Sequence, residues 1–336
     1  MCVGRSFRVP RAAAVIAAAQ EAPGQGAPDA TKAPADTSWV KESRPPDREA
    51  VYRKTPQGEL KLLAYLPEGW KKEDRRPAIV FFFGGAWTNG TTSQFMSKSE
   101  YFASRGMVAF CAEYRIGSKH HTRIDAAVED ARSAMRFVRK HAAEWGVDGA
   151  SLVSAGGSAG AHLAACCALL DGPDAKDDDT SVSCRPQAMV LFNPVLDLNE
   201  PQAQRFIRGN SPEETRTIVE TLSPALHLKK DCPPALIFYG TADAFVAHGR
   251  AFVKKSLALG NAVELWTAAG QPHGFFNRAP WHEATVRKAD EFLASLGWLA
   301  GPPTMKPADD KAALTKELPT PQPAPEGTCS RDWRRI

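Results

Sequence analysis

Four short runs in this chain are apolar at essentially every position rather than at every second one: Ala78 to Phe83, Met107 to Cys111, Ala188 to Phe192 and Ala235 to Tyr239. A strand with one wet face alternates; a strand covered on both faces does not, so these runs predict the interior of a parallel sheet. Parallel neighbours need crossovers, and the intervening stretches supply them. Ser97 to Arg105 fits a helix, and Ile124 to Trp145 is amphipathic, with Ala127, Val128, Ala131, Ala134, Met135, Phe137 and Val138 interleaved with charge. Two further strands, Ser151 to Ala155 and Val263 to Thr267, and a last helix from about Glu283 to Leu296 continue the rhythm. An antiparallel hairpin, Val51 to Lys54 and Leu60 to Leu66 around Thr55-Pro56-Gln57-Gly58-Glu59, opens it. The expected fold is α/β: a doubly wound, mostly parallel sheet with helices on both faces. Right-handed crossovers then place the loops after the strands along one edge, where a site is expected.

On that edge the chain reads Gly156-Gly157-Ser158-Ala159-Gly160, between the strand at Ser151 and the helical pattern from His162 to Leu170. A serine at a sharp strand-to-helix turn is held in strained backbone angles with its hydroxyl lifted clear of the sheet, and the small flanking residues let strand and helix approach closely. The Ala159 amide at the helix start is free to face developing negative charge. Gly84-Gly85-Ala86-Trp87 follows the triple-phenylalanine strand, where the amides of Gly85 and Ala86 can join Ala159 in an oxyanion hole.

A serine hydroxyl needs a base, and eight histidines are available. His273, in the turn-rich loop Gly270 to Phe276 between the last strand and the last helix, lies on the functional edge; His248 and His282 are the alternatives. His162, four residues after Ser158 on the same helix, is too constrained to reach the hydroxyl and reads as a packing residue or a neighbour of the site. The orienting carboxylate is Asp243, directly after the strand ending at Tyr239, which gives the chain order Ser, Asp, His. Asp197, after the preceding strand, competes with it. The long connection between Val195 and Pro234, in which Ser211-Pro212-Glu213-Glu214 has a capping-box arrangement, predicts a small cap at about 195–233 with a helix from Pro212 to Thr221.

The rest of the chain divides simply. Arg5, Arg8 and Arg11 precede the alanine-rich run Ala12 to Ala19, an order that resembles a secretory signal peptide and suggests a secreted or periplasmic protein, with a cytoplasmic one as the alternative. Residues 1–47 are read as that leader and a disordered linker, 48–300 as the catalytic domain, and 301–336 as a proline-rich, extended tail. The net charge of +4 is modest and carries no basic block, so nucleic acid is not an expected partner. No stretch reaches the length of a membrane span. Seven cysteines without CxxC or a His/Cys cluster indicate neither a zinc site nor a dense disulfide framework; one pair, Cys184 with Cys232, stays open.

The combination of Phe81-Phe82-Phe83-Gly84-Gly85-Ala86-Trp87, Glu113-Tyr114-Arg115, Gly156 to His162, Gly240-Thr241-Ala242-Asp243 and His273-Gly274-Phe275 resembles the α/β-hydrolase fold. Within it, the similarity is to the esterase/lipase group related to hormone-sensitive lipase and to bacterial acetyl and feruloyl esterases, over roughly Leu60 to Leu299. The family's oxyanion loop usually reads His-Gly-Gly-Gly; here Phe83 replaces His and Ala86 replaces the last Gly. The resemblance implies a serine carboxylesterase with Ser158, Asp243 and His273 as triad. It requires no metal or organic cofactor. Short acyl esters are the implied substrates, with acetyl groups on plant polysaccharides among them and Trp87 as a sugar-facing aromatic. Small-molecule or glycan esters would be the partners. Two other readings stay open: a serine peptidase of the same fold, and a non-catalytic hydrolase-like binding protein.

Overall fold

The structure, a computed structural model, describes Met1 and residues 43–307 and 312–317. The leader-like segment and most of the linker lie outside the described residues. The hairpin forms as β1 (Arg48–Thr55) and β2 (Gly58–Tyr65), followed by β3 (Arg76–Phe82), α1 (Ser93–Ser104), β4 (Val108–Ala112), the short α2 (Gly117–His120) and α3 (Ile124–Lys140). Next come β5 (Val147–Gly157), α4 (Ala159–Leu169), β6 (Ala188–Phe192), α5 (Pro201–Gln204), α6 (Pro212–Leu222) and β7 (Ala235–Gly240). Among the described residues the last elements are α7 (Val246–Ala258), β8 (Val263–Ala268), α8 (Trp281–Ser295) and β9 (Leu314–Glu317).

These strands make one nine-stranded sheet in the order β1-β2-β4-β3-β5-β6-β7-β8-β9. The pairs from β4 through β8 are parallel, and the antiparallel ones lie at the two ends. Every residue of β4, β6 and β7 is buried, as their unbroken apolar sequences require. The chain runs from β3 outward to β4 and then returns to the other side of β3 as β5. That reversal opens a crevice beyond the C-terminal ends of β3 and β5, the place where a doubly wound sheet holds its ligand.

Two helices deserve different explanations. All eleven residues of α4 are buried, so it carries no polar face. Amphipathic α3 buries ionic groups as well: Asp130 is fully enclosed and is paired by Arg115, whose Nε and Nη2 lie 2.8 and 2.9 Å from its two oxygens, and by Arg53. Pairing of this kind is what makes a buried carboxylate tolerable. In α6, Ser211 caps the helix by accepting from the Glu214 amide at 3.1 Å, with Pro212 at the first helical position.

One expectation changes, and one pairing left open is decided. The segment after 301 is not wholly an extended appendage: Leu314 to Glu317 pairs antiparallel with β8, and Arg250 grips Glu317 through two bonds of 2.8 and 2.7 Å. Four partly polar residues near a proline-rich stretch carry too little periodicity to announce a strand. Cys184 and Cys232 are both buried free thiols rather than a disulfide.

Candidate active site

Ser158 sits between β5 and α4 with φ 53° and ψ −118°, a conformation that a residue with a Cβ adopts only when its surroundings impose it. They do so from both sides. The Ser158 amide donates to Phe192 O at 2.8 Å, and its carbonyl accepts the first helical bond, from the His162 amide, at 3.0 Å. The elbow also needs close packing: a Cβ on Gly160 would stand 2.0 Å from Phe82 O, and one on Gly156 would stand 2.5 Å from the Gly160 carbonyl.

His273 Nε2 lies 2.8 Å from Ser158 Oγ, and His273 Nδ1 lies 2.8 Å from Asp243 Oδ2. Asp243 is buried and acts only as an acceptor, so Nδ1 carries the proton and Nε2 is free to accept from the serine. The other carboxylate oxygen, Oδ1, accepts from the Phe245 amide at 2.9 Å, which fixes the carboxylate plane. The sequence-predicted serine, acid and base therefore converge. The competitors do not: His248 is paired with Glu200, with Asp197 3.9 Å away, and His282 Nε2 faces Ser97 Oγ at 3.2 Å.

The loop from Gly84 to Trp87 lies opposite. The Gly84 amide is spent on Gln94 Oε1 at 2.6 Å, and Gly85 O accepts from the amides of Thr88 and Asn89 at 3.0 and 2.9 Å. Gly85, Ala86 and Trp87 all have positive φ, at 123°, 53° and 57°. Among the described residues, the amides of Gly85, Ala86 and Ala159 have no protein acceptor. Phe83 keeps the loop's base in place by stacking on Tyr114, centroids 4.1 Å apart, while the Tyr114 hydroxyl donates to Phe83 O at 2.7 Å.

Trp87 is the correction. Its ring is only 4% exposed, set edge-on against His162, and its Nε1 donates to His162 Nδ1 at 3.2 Å, so it offers no face to a sugar. The positive φ values turn the side chain inward, which a sequence pattern does not reveal. His162 is itself fully buried, and burial pushes its pKa down to about 4. The indole N–H can only donate, so Nδ1 must be the unprotonated nitrogen and Nε2 donates to Leu222 O at 2.8 Å.

This buried histidine makes the fold acid-sensitive. An unfolded chain protonates it below its ordinary value near 6.5, the folded chain only near 4. The stabilisation is therefore complete above pH 6.5, falls between 6.5 and 4, and is gone below, a swing of about 3 kcal/mol at full extent. Denaturant midpoints at pH 7.5 and 4.5 should differ more for the wild type than for His162→Phe; equal differences would contradict the assignment.

Two polar neighbours were not anticipated. Asn193, fully buried at the end of β6, points its side-chain amide at Asp243 Oδ2, and Gln94 joins Gly84 to Asn277 Oδ1 at 3.3 Å. The only sequence signal for Asn193 is its place directly after a buried strand on the functional edge; Gln94 has none. Among the described residues, no cluster of three or more His, Cys, Asp or Glu could hold a metal ion, and no helix is long and apolar enough to cross a membrane.

A serine elbow at the crevice of a sheet with this strand order, faced by aspartate and histidine from the loops after β7 and β8, defines an α/β-hydrolase. The chain belongs to the BD-FAE family of α/β-hydrolase esterases, whose model matches residues 62–255. It is 27% identical over 236 residues to esterase LipQ of Mycobacterium tuberculosis, an alignment covering 65% of this chain and 55% of that protein. It is also 27% identical over 252 residues to endo-1,4-beta-xylanase B of Butyrivibrio fibrisolvens, covering 73% of this chain and 37% of that one. The chain thus spans about half the length of LipQ and less of the xylanase. Among solved structures, esterase 2 of Thermogutta terrifontis matches with a TM-score of 0.70 and 42% identity, covering 76% of this chain and 96% of its own.

Proposed function

We propose that the protein is a serine carboxylesterase that hydrolyses short-chain acyl esters through an acyl-enzyme. The observation that carries this reading is the continuous relay Asp243, His273, Ser158, with 2.8 Å at each link. Ser158 Oγ attacks the ester carbonyl while His273 Nε2 takes its proton; the amides of Gly85, Ala86 and Ala159 hold the oxyanion. As the tetrahedral intermediate collapses, the C–O bond to the alcohol breaks and His273 returns the proton to the leaving oxygen. Water, activated by the same nitrogen, then cleaves the acyl-serine and releases the carboxylic acid. Asp243 orients the ring and stabilises its cation.

Short acyl chains are favoured by the Thermogutta terrifontis esterase 2 structures, which hold propionate and butyrate and which are phosphorylated by paraoxon. Likeness to the xylanase supports acetylated glycans as one source of such esters. The φ of 53° at Ser158 speaks against a purely binding role, which would give no reason to maintain an elbow serine under strain. We expect p-nitrophenyl acetate and butyrate to be hydrolysed with kcat/KM at least about 100-fold above the palmitate ester, and acetate to be released from acetylated xylan. A preference for palmitate would sink the short-acyl assignment; no acetate from xylan would remove the glycan arm alone. A fluorophosphonate should label the protein at Ser158.

A further inference from the structure

We propose that His162 is a positioning residue for the oxyanion loop: it holds Trp87, and through it the neighbouring Ala86 amide, and ties this loop to the C-terminal end of α6. The inference rests on the esterase reading above.

Ala86 and Trp87 occupy the left-handed region, which residues with a Cβ keep only where the surroundings over-determine them. The Trp87 carbonyl accepts from the Gly117 amide at 2.9 Å, which anchors the backbone just past the two strained residues. The side-chain anchor is the indole bond to His162 Nδ1, made inside a wholly buried setting where water cannot replace it. His162 cannot drift, because it projects from α4, buried along its whole length, one turn after the nucleophile. Its other nitrogen donates to the carbonyl of Leu222, the last residue of α6, where a helix leaves carbonyls without intrahelical donors. One ring in one tautomer thus spans three pieces: the nucleophile helix, the oxyanion loop and the end of the helix in the β6–β7 connection. Here the Phe83 side chain offers only a ring stack to Tyr114; Thr88 Oγ1 donates locally to Ala86 O at 3.1 Å, and it is the Trp87 indole that ties the distal end of the loop to α4.

The test measures kcat and KM for p-nitrophenyl butyrate with the full chain. His162→Phe keeps a ring of similar size and removes both bonds; Trp87→Phe removes the N–H together with part of the ring. Each should lower kcat by about 100-fold, the cost of an ångström-scale misplacement, with KM little changed. The double variant should lose no more than the worse single one, since both remove the same contact. His162→Asn, which keeps an acceptor near the Nδ1 position, should recover most of the loss due to phenylalanine. Multiplying losses in the double variant, a rise in KM alone, or no recovery with asparagine would each overturn the inference. Thermal unfolding identifies any variant that fails to fold; if His162→Phe does, a fall in kcat for Trp87→Phe with near-wild-type kcat for His162→Asn supports the inference, and any other outcome for that pair overturns it. A wild type without turnover would overturn the esterase reading and this inference together, whereas an active wild type with additive variants overturns this one alone.

Discussion

Ser158→Ala should lower kcat for p-nitrophenyl butyrate by about 10⁴- to 10⁶-fold while leaving the unfolding midpoint nearly unchanged. The size follows from what the hydroxyl does. It is the attacking atom, and once it is removed only water attack assisted by the oxyanion donors remains. The small structural effect follows from what the hydroxyl does not do. It is no helix cap, and its partner His273 is 36% exposed, so the vacated nitrogen can be hydrated. Alanine also carries the same Cβ into the strained φ of 53°, so the elbow is neither relieved nor further loaded. Steady-state kinetics with a burst-phase control, alongside calorimetry, reads both halves. Residual activity within tenfold of wild type would remove Ser158 as nucleophile.

Gly160→Ala separates two opposing effects by magnitude. In a helix, alanine is favoured over glycine by about 1 kcal/mol, and on propensity alone the change stabilises α4. Yet the added methyl would stand 2.0 Å from Phe82 O and 2.4 Å from Phe83 O. Both are backbone atoms at the end of a buried central strand, with no rotamer to escape through, so overpacking costs about 3 kcal/mol or more. The net expectation, about 2 kcal/mol or more, is a melting temperature lower by about 3–5 °C. The strand end that must yield also launches the oxyanion loop, so kcat should fall as well. A stabilised or unchanged Gly160→Ala would mean that β3 and α4 are less tightly apposed than described.

How much of this was legible in the sequence depends on the range of the physics involved. The sheet was, because strands covered on both faces write their environment into consecutive apolar residues, as in Val108 to Ala112 and Ala235 to Gly240. Ser158, Asp243 and His273 were legible as residues in loops after particular strands, which the topology collects on one edge whatever the loop details. What escaped reading depends on side-chain direction. Read from sequence, Trp87 faces substrate, whereas three successive positive φ values turn it into the core against His162. Asn193 and Gln94 were invisible because an amide in a loop has no periodicity, and only the folded chain shows which carboxylate or backbone N–H it faces.

The last strand bears on the reaction in a mechanical sense. Asp243 hangs from the end of β7 and His273 from the loop after β8, so the stiffness of β8 governs how steadily the base meets the serine. Without β9, β8 would be a rim strand with one row of unsatisfied backbone groups, free to fray or to recruit a neighbouring molecule. With Leu314 to Glu317 laddered onto Leu265 to Ala268, it becomes an inner strand, braced on both sides. Residues that take no part in the chemistry, well past the end of the family match at 255, therefore serve as the buttress against which the proton-transferring loop is set.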